Sequence, residues 1–275
     1  MPSRLGSNLL LWIASISYGT YNNITIEYDI NSLIYGYNIF TKALLQFVEN
    51  HNIKSINNSS IIPPLLIDDF FNYISLVVLN IKLDLISYFR LNMLDHIKPY
   101  LFELFQKENY TLCYDPNKTI VIHLRLDDVT YHYDYDGKIS SDYYINKMNN
   151  DMPVFRKDLD LSNNIQSPLS IEKIKKQVED ALQIYKDYEV LVIASSEPKD
   201  YVIDLPYKIM RNGYPEYDLF LLCNAKVLIC SRSTFGLMGC LFGNYEKAYV
   251  PLWGLFVGVG LGTKYDKNTK LSYFY

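Results

Sequence analysis

Thr119-Ile120-Val121-Ile122-His123-Leu124 (TIVIHL) is the stretch whose reading decides the fold. A short β-branched run without polar alternation is the pattern of a parallel strand covered on both faces. Two similar runs follow, EVLVIA at 189–194 and KVLIC at 226–230. Helical spacing recurs at 141–149, 171–185, 216–224 and 233–242, with a weak strand at 207–210 and a last one at 247–250. Strands alternating with helices at this interval predict a doubly wound parallel α/β domain. Residues 151–168 read as an irregular surface insertion.

Upstream of Lys118 the pattern is helical with little strand. An apolar helix is expected at 8–18, a β-like stretch at 24–28, a helix at 39–50 and a turn-rich break at 57–64 (NNSSIIPP). A long amphipathic helix follows at 88–107, with Pro99 as the point of interruption. The natural division is into two Rossmann-like halves facing a cleft, 1–112 and 113–275, joined near 109–117.

The formal net charge of -4 gives no general attraction for nucleic acid, so an anionic ligand must be held by a few placed cations and backbone donors. No apolar run reaches the roughly 18 residues of a membrane span. The segment LLLWIASI at 9–16 follows a single Arg4 and is preceded by Gly6 and Asn8, which argues for a buried helix rather than a signal peptide. A cytoplasmic protein is the expectation. Cys113, Cys223, Cys230 and Cys240 lack Cys-x-x-Cys spacing, and the four histidines are scattered, so no metal site is expected. The 26 tyrosines fit an AT-rich coding sequence, or stacking against carbohydrate.

The chemistry concentrates where strands end. Ligands of open α/β sheets bind beyond the carboxyl ends of the strands. In His123-Leu124-Arg125-Leu126-Asp127-Asp128, alternation puts His123, Arg125 and Asp127 on one side. Arg125 offers a fork of donors matched to phosphate oxygens; the alternative is an ion pair with Asp127 or Asp128. After the 226–230 strand, Ser231-Arg232-Ser233-Thr234-Phe235-Gly236 opens a helix. Ser233 or Thr234 there caps the helix, and the same geometry turns backbone N–H groups toward an anion. Asp218, upstream, is either a helix-start residue or a buried acceptor for a guanine edge. Gly6 allows a tight turn in Arg4-Leu5-Gly6-Ser7-Asn8.

Taken in order, His123-Leu124-Arg125-Leu126-Asp127, Ser195-Ser196-Glu197, Asp218-Leu219-Phe220 and Ser233-Thr234-Phe235 resemble the motifs of the α-1,2-fucosyltransferases, enzymes of the GT-B fold related to the α-1,6- and protein O-fucosyltransferases. Arg4-Leu5-Gly6-Ser7-Asn8-Leu9 is similar to the N-terminal Gly-Leu-Gly-Asn loop of that family, and Ser141-Asp142-Tyr143-Tyr144 and Tyr88-Phe89-Arg90 are also familiar from it.

The resemblance implies an inverting, metal-independent glycosyltransferase that moves L-fucose from GDP-fucose to a glycan hydroxyl. It implies that Arg125 contacts the donor phosphates, that His123 and Asp218 lie near the guanine, and that Ser233 and Thr234 hold the β-phosphate. Ser195 and Phe235 belong to the same donor-binding set, and Gly6 and Asn8 line the cleft from the first half. The expected catalytic residues are Arg125, Asp127 and Asp128. The carboxylates that could act as general base are Asp127, Asp128, Asp134 and Asp136, with Glu27 and Asp29 across the cleft, and the sequence does not choose among them. The chain departs from the family's His-x-Arg-Arg-Gly-Asp form, with Leu126 where a second basic residue stands. It also carries Gly236, Leu237 and Met238 where tryptophans are common. The partners implied are a nucleotide sugar and a glycan acceptor.

Overall fold

The computed structural model describes residues 26–28, 42, 43, 46, 49, 50, 55–57, 94–125, 169, 171–194, 203–211, 214–251 and 270–274. The helices expected at 8–18 and 141–149 and the insertion at 151–168 lie outside the described residues. The chain divides into two compact units, Met1–Thr111 with Gly262–Lys264 and Leu112–Leu261 with Tyr265–Tyr275.

In the first unit, β1 (Ile26–Tyr28) and β2 (Ser55–Asn57) pair in parallel, Glu27 opposite Ile56. Lys42, Ala43, Gln46, Glu49 and Asn50 are helical, within the segment expected to be so. Helix α1 (Leu94–Lys107) runs through Pro99 without ending there. Pro99 is exposed, so the helical N–H it removes is lost on the solvent side.

The end of α1 is set locally. Asn109 takes a positive φ of 55°. Its N–H donates to Gln106 O at 3.0 Å, and the next N–H, of Tyr110, reaches back to Phe105 O at 3.3 Å. This is the Schellman arrangement, which occupies carbonyls that a helix end otherwise leaves open. The apolar contact that accompanies it is the Phe105–Tyr110 ring pair, centroids 6.1 Å apart.

The second unit is built on a six-stranded parallel sheet: β3 (Thr119–Leu124), β4 (Glu189–Ala194), β5 (Lys208–Met210), β6 (Val227–Ile229), β7 (Lys247–Pro251) and β8 (Leu271–Phe274). The spatial order is β5-β4-β3-β6-β7-β8. The bounds of β3 and β4 coincide with the runs that predict them, because a short run rich in apolar β-branched residues is best buried as a central strand. All six residues of β3 are buried. The edge strand β8 is not anticipated by the sequence reading, which ends the sheet at β7. Four residues bordered by polar chain give almost no periodic signal.

Among the described residues, three helices pack on the sheet. On one face Ile120, Ile122 and Leu124 of β3 join Val192, Ala194, Val227, Ile229 and Tyr249 in a core with Ile174, Val178 and Ala181 of α2 (Ile171–Ile184). That i, i+4, i+7 spacing is the apolar stripe of a helix facing one surface. Val121 and His123 point the other way. There α4 (Thr234–Phe242) packs beneath α3 (Pro215–Asn224), with Gly239 close against Leu222 and Leu228. Leu219 to Cys223 are buried without a break, as befits a helix enclosed on all sides. The Tyr114 hydroxyl donates to Leu221 O at 2.6 Å, tying the segment before β3 to α3. Burial pushes that phenol well above its ordinary range.

Candidate functional site

Starting from β3, the chain builds outward to β4 and β5, then returns across the sheet to place β6, β7 and β8 on the other side. The order therefore reverses between β3 and β6. In parallel α/β sheets the loops leaving two such strands diverge to opposite faces and open a crevice beyond their carboxyl ends, the position where ligands bind. The helices run antiparallel to the strands, so α3 and α4 begin on this same side.

Arg125 leaves β3 at the lip of the crevice, half-buried. Opposite it, β6 runs through Cys230 into Ser231, Arg232 and Ser233, all buried and the last three polar. The turn is tight: Ser233 N–H donates to Ser231 O at 2.8 Å across Arg232. Ser233 then caps α4. Its backbone is extended (φ -151°, ψ 132°) and its Oγ accepts from Phe235 N–H at 3.1 Å. The capping role allowed for Ser233 is thus realised, and the first amides of α4 face the crevice as the positive end of the helix dipole.

Ser231 joins the two strand ends. Its Oγ accepts from Arg125 N–H at 3.2 Å and lies 3.0 Å from His123 Nδ1. The His123 ring is buried under the first turn of α4, its centroid 5.4 Å from that of Phe235. A β-carbon on Gly236 would come within 2.8 Å of His123 Nδ1, so glycine is what allows the ring and the helix to meet. Burial first, and the Arg125 charge second, push His123 down to about 3, so it is neutral at physiological pH. Beneath it Cys230 Sγ and Cys240 Sγ are 3.3 Å apart as free thiols.

Arg232 is 6% exposed, and its burial pulls the guanidinium below its ordinary range. A guanidinium buried to this degree keeps its charge only where partners offset the loss of water. Asp218 is also buried, in the first turn of α3 on the crevice side. Among the described residues no group of three or more His, Cys, Asp or Glu is placed to hold a metal ion. No described helix is long and apolar enough to cross a membrane.

Of the residues singled out in the sequence, His123, Arg125, Ser233 and Phe235 come together at this crevice, and Thr234 is the first residue of α4. Gly6, Asn8, Asp127, Asp128 and Ser195 lie outside the described residues. The sequence shows Ser231 and Arg232 only as part of the segment that opens a helix, and assigns neither a role. Their signal was position: an arginine between two serines at the end of a buried strand. No protein-family model, curated protein or solved structure matches this chain.

Proposed function

We propose that this chain is a glycosyltransferase of the GT-B type and that the crevice between β3 and β6 takes the diphosphate of its nucleotide-sugar donor. The observation that carries the reading is the buried Arg232 beside the amino end of α4, at the point where the strand order reverses. A buried cation, a helix N-terminus and a second arginine across the crevice are matched to a dianionic leaving group rather than to a neutral ligand. The ordered resemblance to the α-1,2-fucosyltransferases favours GDP-fucose as donor, a glycan hydroxyl as acceptor, and inverting transfer without a metal.

In that reaction the acceptor oxygen forms a bond to the anomeric carbon as the bond to the β-phosphate oxygen breaks. The electron pair leaves with GDP, and the hydroxyl proton passes to a carboxylate, for which Asp127 and Asp128 are proposed. The transition state is oxocarbenium-like, so the protein contributes alignment and stabilisation of charge on the departing phosphate. Arg125, Arg232 and the α4 terminus supply the second of these. His123, held neutral, adds no charge.

The test is thermal stabilisation by GDP, UDP and CDP, followed by GDP release from a panel of GDP-sugars with and without glycan acceptors. The expected result is a GDP-selective shift and acceptor-dependent release from GDP-fucose. Turnover only with another donor removes fucose from the proposal. Binding without turnover under any pairing assigns the chain as a GDP- or glycan-binding protein. No shift with any nucleotide overturns the reading.

A further inference from the structure

Ser231 contacts His123 of β3 and Arg125 just beyond it at once, and the hydrogen count at its oxygen has only one consistent solution. We propose that Ser231 is the positioning residue of the site: its hydroxyl locks His123 as the Nε2–H tautomer and fixes the backbone of Arg125, so that His123 presents a permanent neutral donor to the ligand. The ligand half of this statement rests on the nucleotide-binding reading above; the tautomer half does not.

A serine hydroxyl has one hydrogen to give and two lone pairs to offer. Arg125 N–H, 3.2 Å away, can only donate, and it takes one lone pair of Ser231 Oγ. His123 Nδ1, at 3.0 Å, either donates to the same oxygen or accepts from it. If Nδ1 carried a proton, the oxygen would accept twice, and its own hydrogen would need another acceptor in a place where Ser231 is buried. A buried donor left unmade is the costlier arrangement. With Nδ1 bare, both bonds at the oxygen are made, Arg125 N–H to Oγ and Oγ–H to Nδ1, and the ring hydrogen sits on Nε2. An imidazolium would carry a proton on Nδ1 and meets the same objection. The ring has little freedom to escape this choice, because Gly236 is packed against Nδ1 and Phe235 lies beside the ring.

Two chemical consequences follow. With Nδ1 occupied and Nε2 protonated, His123 has no lone pair left to act as the general base, and the proton of an acceptor hydroxyl must go to a carboxylate. The Nε2–H edge recognises an uncharged acceptor of the ligand, such as a carbonyl oxygen or an aza nitrogen, while the arginines take the phosphates. Recognition is then insensitive to pH in the neutral range, although it runs through a histidine.

The experiment is nitrogen NMR of imidazole-labelled protein without ligand, together with GDP titrations of wild type, Ser231→Ala and Ser231→Thr. In wild type His123 Nδ1 is expected in the pyridine-type range and Nε2 in the pyrrole-type range, unchanged across neutral pH. The reverse pattern, or a titrating ring, overturns the proposal whether or not any variant folds. Ser231→Ala is expected to give a mixed-tautomer signal and roughly tenfold weaker GDP binding. Ser231→Thr, which keeps the hydroxyl, is expected to restore both. A folded Ser231→Ala protein with an unchanged spectrum and unchanged affinity overturns the positioning role. If wild type binds no nucleotide, the functional reading fails by itself, and the unliganded spectrum still decides the tautomer.

Discussion

Gly236 and His123, 113 positions apart in the chain, are packed so closely that a β-carbon on the glycine would lie 2.8 Å from the imidazole Nδ1. The contact fastens the first turn of α4 to the end of β3, and with it the two sides of the crevice.

Gly236→Ala therefore tests the packing directly. In an ordinary helix interior the change is favourable by about 1 kcal/mol. Here the added methyl must displace a buried ring, and overpacking of this kind costs about 1–3 kcal/mol. The clash is expected to win, giving a lower urea midpoint and weaker GDP binding together. Adding His123→Ala should recover part of the lost stability, because the methyl then has space. A midpoint at or above that of wild type would show that the ring and the helix do not meet as described.

The burial of His123 has a pH signature. In the unfolded chain the imidazole titrates near about 6.5, whereas in the fold it is pushed down to about 3. Between these values the unfolded state holds the additional proton. Stability should therefore fall as the pH drops through this window, with a slope of at most about 1.4 kcal/mol per unit from this residue. Carboxylates contribute to the same decline at its lower end, so the measurement is the difference between wild type and His123→Asn, read from urea midpoints above pH ~5, where most carboxylates are still ionised. The variant should be less stable overall but flatter. Parallel slopes would mean that His123 is not buried neutral.

These contacts mark the limit of what the sequence discloses. TIVIHL and EVLVIA predict β3 and β4 to the residue, because a run of apolar β-branched residues has one structural use in an α/β chain. His123 and Arg125 can be placed at a strand end for the same reason. The bond between His123 and Ser231 spans 108 positions and depends on which strands become neighbours, which no local pattern encodes. Arg232 is similarly silent: an arginine after a strand reads as a solvated charge, and only the turn between Ser231 and Ser233 buries it. The strand β8 escaped because four residues are too few for periodicity to register.

Ser233 caps α4 and is proposed to lie at the donor phosphate, and substitution can separate the two. Ser233→Ala removes the cap on Phe235 N–H and is expected to cost about 1 kcal/mol. Ser233→Asp retains capping ability, since aspartate ranks with serine at this position. Its carboxylate also brings a negative charge to the end of α4 where a phosphate is proposed to sit. The expected pairing is near-wild-type thermal stability without ligand and loss of the GDP-induced shift. If Ser233→Asp binds GDP as well as wild type does, the amino end of α4 is not the anion site.

Arg232→Met separates the charge of the crevice from its volume. Methionine is long and apolar enough to occupy much of the space that the guanidinium stem fills, while removing the cation. If Arg232 faces the departing phosphate, its loss should weaken GDP binding and slow GDP release from the donor by roughly 100-fold or more, the usual scale for a preorganised charge-stabilising group. Arg125 is half-buried and follows β3 on the opposite lip. Water screens it more, so Arg125→Ala is expected to cost less than Arg232→Met. Arg232→Lys keeps a charge without the planar fork and should fall between wild type and Arg232→Met. A folded Arg232→Met protein with wild-type GDP affinity would relocate the phosphates away from β6, and the reading of the crevice as a diphosphate site would fall with it.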